Sequence, residues 1–210
     1  MAEHPVHANL MFGGVIFGKA SYGLARRAEI FISYHWGQQS EYGFETQMFV
    51  ATLKNELERH TRLTCWFDLD RMGAGEDILD AMRDGVAHAD VFVCCLTDSY
   101  VHSVNCMREF KHAVNMRKLI IPLLLPGYGD PDGATTFPPI DPNGIVQKAL
   151  SETNLYVDLR TPERMHANFP GLVNRVDSHL RFVRRRRAER RLQKGAGKVV
   201  AANRLGMPDS

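Results

Sequence analysis

The run Val91–Leu96 (VFVCCL) constrains the fold of this chain more than any other stretch. Its six consecutive apolar residues are too few to cross a membrane and show none of the polar spacing of a surface helix. Such a run is typical of a strand covered on both faces, as in the parallel sheets of α/β proteins. We therefore predict a buried parallel strand at this position.

Four other short runs have the length and composition of strands, and amphipathic segments separate them. The predicted strands span Ile30–Tyr34 and residues 63–67, 119–125 and 154–159. The predicted helices span residues 44–60, 76–89 and 99–117. Strands that alternate with helices build a parallel sheet with helices on both faces, and ligands bind beyond the carboxyl ends of its strands.

Proline and glycine mark the interruptions in this pattern. Pro122 lies inside a predicted strand and lacks a backbone donor, so we expect it at a sheet edge or a bulge. Residues 126–142 hold five prolines and are predicted to form a surface loop. A last helical pattern begins at Thr161, and Gly195 and Gly197 are expected to end it.

The chain divides by composition into three parts. Residues 1–27 lack periodicity and are interpreted as an N-terminal extension. Residues 28–185 contain the alternating elements and a C-terminal helix, and we interpret them as the folded domain. Residues 186–210 are interpreted as a basic, flexible tail.

The net charge of +2 conceals a separation of charge. Residues 1–180 carry 16 Lys and Arg against 22 Asp and Glu, whereas residues 181–194 carry eight Lys and Arg against one Glu. Three interpretations of the basic segment remain open: a solvated helix end, a nuclear-import or nucleic-acid patch, and a contact with an anionic membrane surface. Its single aromatic residue, Phe182, argues against stacking on single-stranded bases.

Cysteine usage and the N-terminal residues predict the location of the protein. The cysteines Cys65, Cys94, Cys95 and Cys106 form no C-x-x-C pair, and three of them lie in stretches predicted to be buried. We therefore expect reduced core thiols. No secretory signal is expected, because the first residues show neither a basic segment nor a clear cleavage pattern. Both observations favour a cytoplasmic location.

Two polar stretches follow predicted strands, at the carboxyl edge of the sheet where a ligand-binding crevice is expected. Tyr34, His35 and Trp36 follow the first predicted strand, although an ordinary strand exit fits them equally well. Residues 68–75 (DLDRMGAG) contain two glycines ahead of a helix. Such a loop suits either a plain turn or an anion held by backbone amides at the helix N-terminus.

A third candidate lies in the helix predicted at residues 99–117. Glu109 is either a solvated side chain or a carboxylate beside the crevice. His102, Cys106 and Glu109 share one helix face, a pattern also compatible with a metal site or a Cys-His nucleophile. No further ligand has suitable spacing, so no metal site is expected.

Taken in order, these stretches resemble a Toll/interleukin-1 receptor (TIR) domain over residues 28–160. Three motifs carry the resemblance: FISY at residues 31–34, D-x-x-x-x-x-x-G-x-x-I at residues 68–78, and C-x-x-E-[LF] at residues 106–110. The second motif resembles the loop that the family calls the BB loop. The resemblance implies a flavodoxin-like, three-layer α/β fold with a five-stranded parallel sheet.

One branch of this family cleaves NAD+ at the nicotinamide–ribose bond, giving nicotinamide and ADP-ribose or a cyclic variant, in immune or cell-death signalling. Its members use a glutamate on the third helix, and Glu109 occupies that position. The resemblance thus implies NAD+ as the substrate, Glu109 as the catalytic residue and no prosthetic group. His35 and Asn105 depart from the family pattern, which often has a basic residue and a tryptophan at these positions.

The resemblance also implies which residues surround the substrate and how the protein assembles. The residues expected at the nicotinamide pocket are Tyr34, His35, Trp36, Asp68, Arg71 and Gly73. Arg108 is expected to face the phosphates or solvent. Self-association through the BB loop, with further copies or with other TIR proteins, would complete the pocket. The alternatives are a non-enzymatic adaptor that acts through TIR–TIR contacts and a related nucleoside-processing enzyme.

Overall fold

The computed structural model describes residues 28–41, 43–67, 78–133, 135–150 and 156–205. Five parallel strands form its main sheet: β1 (Ile30–Tyr34), β4 (Cys65–Trp66), β5 (Val91–Leu96), β6 (Leu119–Leu124) and β7 (Val157–Asp158). They are ordered β4-β1-β5-β6-β7. The chain thus starts in the interior of the sheet, builds one edge and then crosses to the other side, as in flavodoxin-like folds.

Strand β5 lies at the centre of the sheet and is buried along its whole length. It pairs with β1 from Ile30↔Val91 to Tyr34↔Cys95. On its other side it pairs with β6 along all six residues. The buried parallel strand predicted at Val91–Leu96 and the five-stranded α/β fold are both confirmed.

Helices cover the two faces of the sheet. They are α1 (Glu45–Thr61), α2 (Ile78–His88), α3 (Val104–Asn115), α4 (Ile145–Leu150) and α5 (Pro162–Leu205). Alternate residues of β5 enter two separate cores. Val91, Val93 and Cys95 pack with α1 and α5, whereas Phe92 and Cys94 pack with α2, α3 and α4. This alternation produces the three-layer architecture.

Several local features differ from the sequence-based expectation. A two-stranded antiparallel hairpin, β2 (Gln39–Ser40) and β3 (Gly43–Phe44), precedes α1 and was not predicted. The helix predicted at residues 99–117 divides into a 3-10 turn at Tyr100–His102 and α3. The division falls at Ser103, whose extended backbone and side chain cap α3.

No helix or strand is described within the loop predicted at residues 126–142, but two features on either side of it differ from the expectation. Pro122 lies in β6, which is an interior strand, rather than at a sheet edge. Its position is tolerated because β7 pairs only with Leu123 and Leu124, so Pro122 has a partner strand on one side alone.

Asp141 is buried and accepts hydrogen bonds from the first backbone amides of α4. It thereby starts a short helix that the sequence analysis missed.

Helix α5 continues to Leu205, past Gly195 and Gly197, so the helix end predicted at these glycines is wrong. Each glycine costs a helix about 1 kcal/mol relative to alanine. Arg, Ala, Glu, Leu and Gln before the glycines favour the helix, and an Arg185–Glu189 ion pair spans one turn.

Predictions for residues 1–27, 68–77 and 206–210 lie outside the described residues. No described helix is both long enough and apolar enough to span a bilayer.

Candidate functional site

A cavity of about 390 Å³ opens at the carboxyl end of β1, between the segments that follow β1 and its neighbour β5. These neighbouring strands mark the point where the strand order reverses, which is the usual ligand-binding position in doubly wound sheets. Its volume falls within the range of small-molecule sites. The lining residues are Ile32, Tyr34, His35, Trp36, Gly37, Phe44, Trp66, Met82, Ser103, Asn105, Cys106 and Glu109.

The exit of β1 forms one wall of the cavity. The Tyr34 hydroxyl accepts a hydrogen bond from Gln47 Nε2 at 3.3 Å, and its ring stacks on Phe67 with centroids 5.4 Å apart. The backbone N–H of Gly37 donates to His35 Nδ1 at 3.1 Å. Because Nδ1 accepts, the neutral imidazole carries its proton on Nε2. Contacts with α1 and Phe67 thus hold the ring of Tyr34, and the following turn holds the ring of His35.

Gly37 is the residue that turns the chain after this wall. Its φ of +86° lies in the left-handed region, and a Cβ atom there would lie 2.5 Å from Thr46 Oγ1. The turn places Trp36 against Phe44, with ring centroids 5.1 Å apart. Trp36 remains 38% exposed. The cavity therefore has an aromatic rim that is available to a ligand.

Helix α3 forms the opposite wall and is fixed at its start by two contacts. Ser103 Oγ accepts a hydrogen bond from the Cys106 backbone N–H at 3.3 Å. The Cys106 thiol donates to the Tyr34 backbone carbonyl, with Sγ and O 3.3 Å apart. The second contact joins α3 directly to the end of β1. It sets the spacing between the two walls.

Glu109 lies on the inward face of α3 together with Cys106, Phe110 and Ala113. It is only 8% exposed and lines the cavity. The interpretation of Glu109 as a solvated helix glutamate is therefore wrong. The helix register places a carboxylate on the cavity wall because Cys106, one turn earlier, is anchored to β1.

Below this wall, a hydrogen bond ties the preceding 3-10 turn to the sheet. The Tyr100 hydroxyl and Ser33 Oγ are 2.7 Å apart, and both residues are buried. Burial raises the pKa of Tyr100 well above its ordinary value, and the nearby ionisable groups of Cys94, Cys106 and Glu109 raise it further. Tyr100 consequently remains a neutral phenol near the carboxylate of Glu109.

The structure brings together four of the residues singled out from the sequence: Tyr34, His35, Trp36 and Glu109 all line this cavity. Arg108 is exposed on α3 and is not among the lining residues. Asp68, Arg71 and Gly73 lie outside the described residues. Across the described part of the chain, no three His, Cys, Asp or Glu side chains are grouped as a metal site.

The sequence analysis missed several residues of the cavity wall, notably Phe44, Trp66 and Met82. Trp66 and Met82 occupy apolar positions that look like ordinary core residues in the sequence. Trp66 is indeed stacked on Phe31, with ring centroids 4.4 Å apart. Phe44 reaches the cavity through a hairpin that carries no strong strand signal. Only the packing of separate elements shows that these residues share a site.

The fold and the cavity define a doubly wound α/β protein with a ligand-sized site at the reversal of its strand order. The family model described as TIR domain matches residues 30–172. The chain belongs to the TIR domain family. The resemblance seen in the sequence motifs is confirmed at this level.

Two solved structures of TIR domains are similar to this chain. One is the TIR domain of the Toll-related receptor TRR-2 from Hydra magnipapillata, 13% identical, with a TM-score of 0.47 over 71% of this chain and 98% of that one. The other comprises the TIR domains of the activated Roq1 resistosome, 13% identical, with a TM-score of 0.48 over 73% and 99%. No protein with curated annotation matches the sequence.

Proposed function

We propose that this protein is an NAD+ glycohydrolase that releases nicotinamide from NAD+ and leaves ADP-ribose or a cyclic variant. The observation that carries the proposal is the Glu109 carboxylate, buried on the wall of a ligand-sized cavity and facing the aromatic exit of β1. Family membership supports it, because TIR domains include enzymes with a glutamate at this position of the third helix.

The chemistry requires only one carboxylate. Nicotinamide is positively charged in NAD+ and leaves as a neutral molecule when the C1′–N bond breaks, so no general acid has to protonate it. The electron pair of that bond stays with nicotinamide, and the ribose becomes an oxocarbenium-like cation. The buried negative charge of Glu109 would stabilise that cation, since electrostatic stabilisation is strong in a site with little water.

The reaction is completed at C1′. In hydrolysis, water attacks the cation, loses a proton and gives ADP-ribose. In cyclisation, a nucleophilic atom of the same ADP-ribose attacks C1′ instead. Glu109 can accept a hydrogen bond from the ribose hydroxyls or from the attacking water. One residue thereby positions the sugar and favours the transition state.

The aromatic rim would bind the leaving group before cleavage. A cationic pyridinium ring is attracted to the face of an aromatic side chain, and tryptophan gives the strongest attraction. Trp36 is partly exposed on the rim and packed against Phe44. The attraction weakens once the charge is lost, which favours release of neutral nicotinamide. His35 Nε2 could donate a hydrogen bond to the carboxamide oxygen.

We further propose that activity depends on self-association in the cytoplasm, as part of immune or cell-death signalling. Residues 68–75 correspond to the loop that completes the pocket between neighbouring copies in related proteins. The cavity is open on the side of Trp36. A second copy could cover that side and exclude water from the reaction.

The test measures nicotinamide release from NAD+ by the purified protein across a range of protein concentrations. Turnover per molecule is expected to rise with concentration. Glu109→Gln keeps the shape of the side chain but removes its charge, so it should lower kcat by about 100-fold or more. Glu189→Gln is the matched control, because Glu189 is exposed on α5 and pairs only with Arg185 among the described residues.

The results separate enzyme from adaptor. Equal turnover by wild type and Glu109→Gln, with both proteins folded, would overturn the assigned role of Glu109. No nicotinamide release at any concentration, with oligomers that Gly75→Pro weakens, would identify an adaptor instead. Turnover of free nucleosides in place of NAD+ would identify a nucleoside-processing enzyme.

A further inference from the structure

The arginine-rich part of α5 lies at the amino end of the sheet, opposite the cavity that holds Glu109. Leu180 is the last buried residue of α5 in the described part of the helix. A second cavity, of about 260 Å³, lies between this part of α5 and the turns that lead into β5 and β6. Among its lining residues are Asp90, Arg117, Lys118, Arg186 and Arg187.

We define the basic face as Arg117, Lys118, Arg181, Arg186 and Arg187. Asp90 pairs with Arg187 at 2.6 Å. The five cations together with the carboxylate of Asp90 therefore carry a net charge of +4. Among the described residues, no carboxylate forms an ion pair with the other three arginines of the face. A buried carboxylate thus anchors the face, and the charges of Arg117, Arg181 and Arg186 are available to a ligand.

Two further cations of the basic face, Lys118 and Arg186, line the cavity and contact neighbouring groups. Lys118 Nζ donates to the backbone carbonyls of Ala87 and Ala89 at 2.6 and 2.7 Å. The guanidinium of Arg186 lies over the ring of Phe182, 5.5 Å from its centroid. Because these side chains are already ordered, binding an anion costs them less conformational entropy than it would cost free lysines.

The distribution of charge around α5 indicates the kind of anionic partner. Arginine occupies five of the seven positions from 181 to 187, so every side of the helix carries charge. A helix that lies in a membrane surface needs one apolar face, and this segment has none. Single-stranded nucleic acid is bound mainly by aromatic stacking, for which Phe182 alone is present in residues 181–194.

We propose that the basic face binds the phosphate backbone of a nucleic-acid duplex. A duplex presents one negative charge per about 1.7 Å of its axis, and its major groove accommodates an α-helix. Contacts to phosphates carry no sequence information, so binding is independent of sequence. The acidic body of residues 1–180 repels a duplex, which confines it to this end and leaves the cavity of Glu109 accessible.

The experiment measures fluorescence anisotropy of a labelled DNA duplex of mixed sequence titrated with the full chain. At physiological salt, a Kd of about 10 µM is expected, as for sequence-independent binding. The variant Arg117→Gln/Arg186→Gln removes two phosphate contacts. It should raise Kd by about tenfold and reduce the slope of log K against log salt by about 2.

The matched control is Arg59→Gln/Arg83→Gln, which removes the same charge from α1 and α2. Both control arginines form surface ion pairs, with Glu56 and Asp80. The control should change Kd by less than about twofold if the contacts are local, since a general charge effect would affect both double variants equally. Circular dichroism establishes that all three proteins are folded at the assay temperature. Neither double variant touches the cavity of Glu109, so this test does not depend on NAD+ cleavage.

Four results would overturn the proposal. They are no binding of the duplex, equal loss in the control, tighter binding of a single strand than of the duplex, and binding of phosphatidylserine vesicles without binding of the duplex. Binding of inorganic polyphosphate but not of the duplex would likewise show that the face recognises phosphate from another source.

Discussion

The hydrogen bond between Ser33 and Tyr100 offers the sharpest test of how the candidate site is held to the sheet. The two hydroxyl oxygens are 2.7 Å apart, and the residues are 1% and 0% exposed. Tyr100→Phe removes one oxygen and leaves the ring in place, so packing changes little. The buried hydroxyl that remains on Ser33 then loses its partner, at a cost of about 1–3 kcal/mol.

The two single variants and the double variant form a cycle. Ser33→Ala leaves the Tyr100 phenol without its partner and should also cost about 1–3 kcal/mol. Replacing both groups removes the bond without leaving a hydroxyl unsatisfied. The double variant should therefore lose less stability than the sum of the singles, by about 1–2 kcal/mol. Urea denaturation at neutral pH measures each free energy of unfolding.

The same tyrosine predicts how stability depends on alkaline pH. Burial raises the pKa of Tyr100 well above 10 in the folded protein, whereas the unfolded phenol ionises near its ordinary pKa of about 10. The unfolded state thus loses the proton first, and stability falls as pH rises above that value. Tyr100 adds a slope of up to about 1.4 kcal/mol per pH unit, which Tyr100→Phe should remove.

Tyr156→Phe is the control for both measurements, because Tyr156 is half-buried against Phe137. It should leave the free energy of unfolding within about 0.5 kcal/mol of wild type and preserve the alkaline slope. The reasoning is refuted if the single variants are additive, or if Tyr100→Phe and wild type lose stability equally above pH 10.

Three further results are expected. Gly37→Ala should destabilise the fold by about 1–3 kcal/mol in thermal denaturation, since its Cβ would meet Thr46 in a left-handed backbone. Trp36→Ala should raise the KM for NAD+ about fivefold or more by removing the aromatic face on the rim, with little change in Tm. Burial raises the pKa of Asp158, but hydrogen bonds and charge from Arg160 outweigh this and lower it. Stability from that pair is thus present above about pH 4 and lost below it, and Asp158→Asn should flatten the acid limb of a pH-dependent urea titration.

The strands of the sheet were predictable to the extent that burial alone determines them. Ile30–Tyr34 and Val91–Leu96 have the predicted bounds because both are buried along their length. The outer strands β4 and β7 are shorter than predicted, with two residues each. An outer strand ends where its neighbour stops pairing. The register between two segments that are distant in sequence cannot be predicted from either segment alone.

The site was predictable in its residue types but not in its arrangement. The motif containing Glu109 identified the carboxylate, yet its burial depends on Ser103 capping α3 and on Cys106 contacting Tyr34. The first contact is a local cap and the second joins α3 to β1, and neither can be read from the spacing of apolar residues along the helix. The resemblance was similarly unable to place Arg108, because the exposed and inward sides of α3 are only one residue apart.

The unequal lengths of the strands have a consequence for how the molecule opens. β5 is hydrogen-bonded on both sides, so its amides should exchange with solvent only through global unfolding, whereas β4 and β7 can detach by breaking a few bonds. The wall that begins at Tyr34 is paired with Cys95 in the slow-exchanging centre. Opening at the β7 edge would therefore leave the cavity between β1 and α3 intact, whereas detachment of β4 would remove Trp66 from its wall.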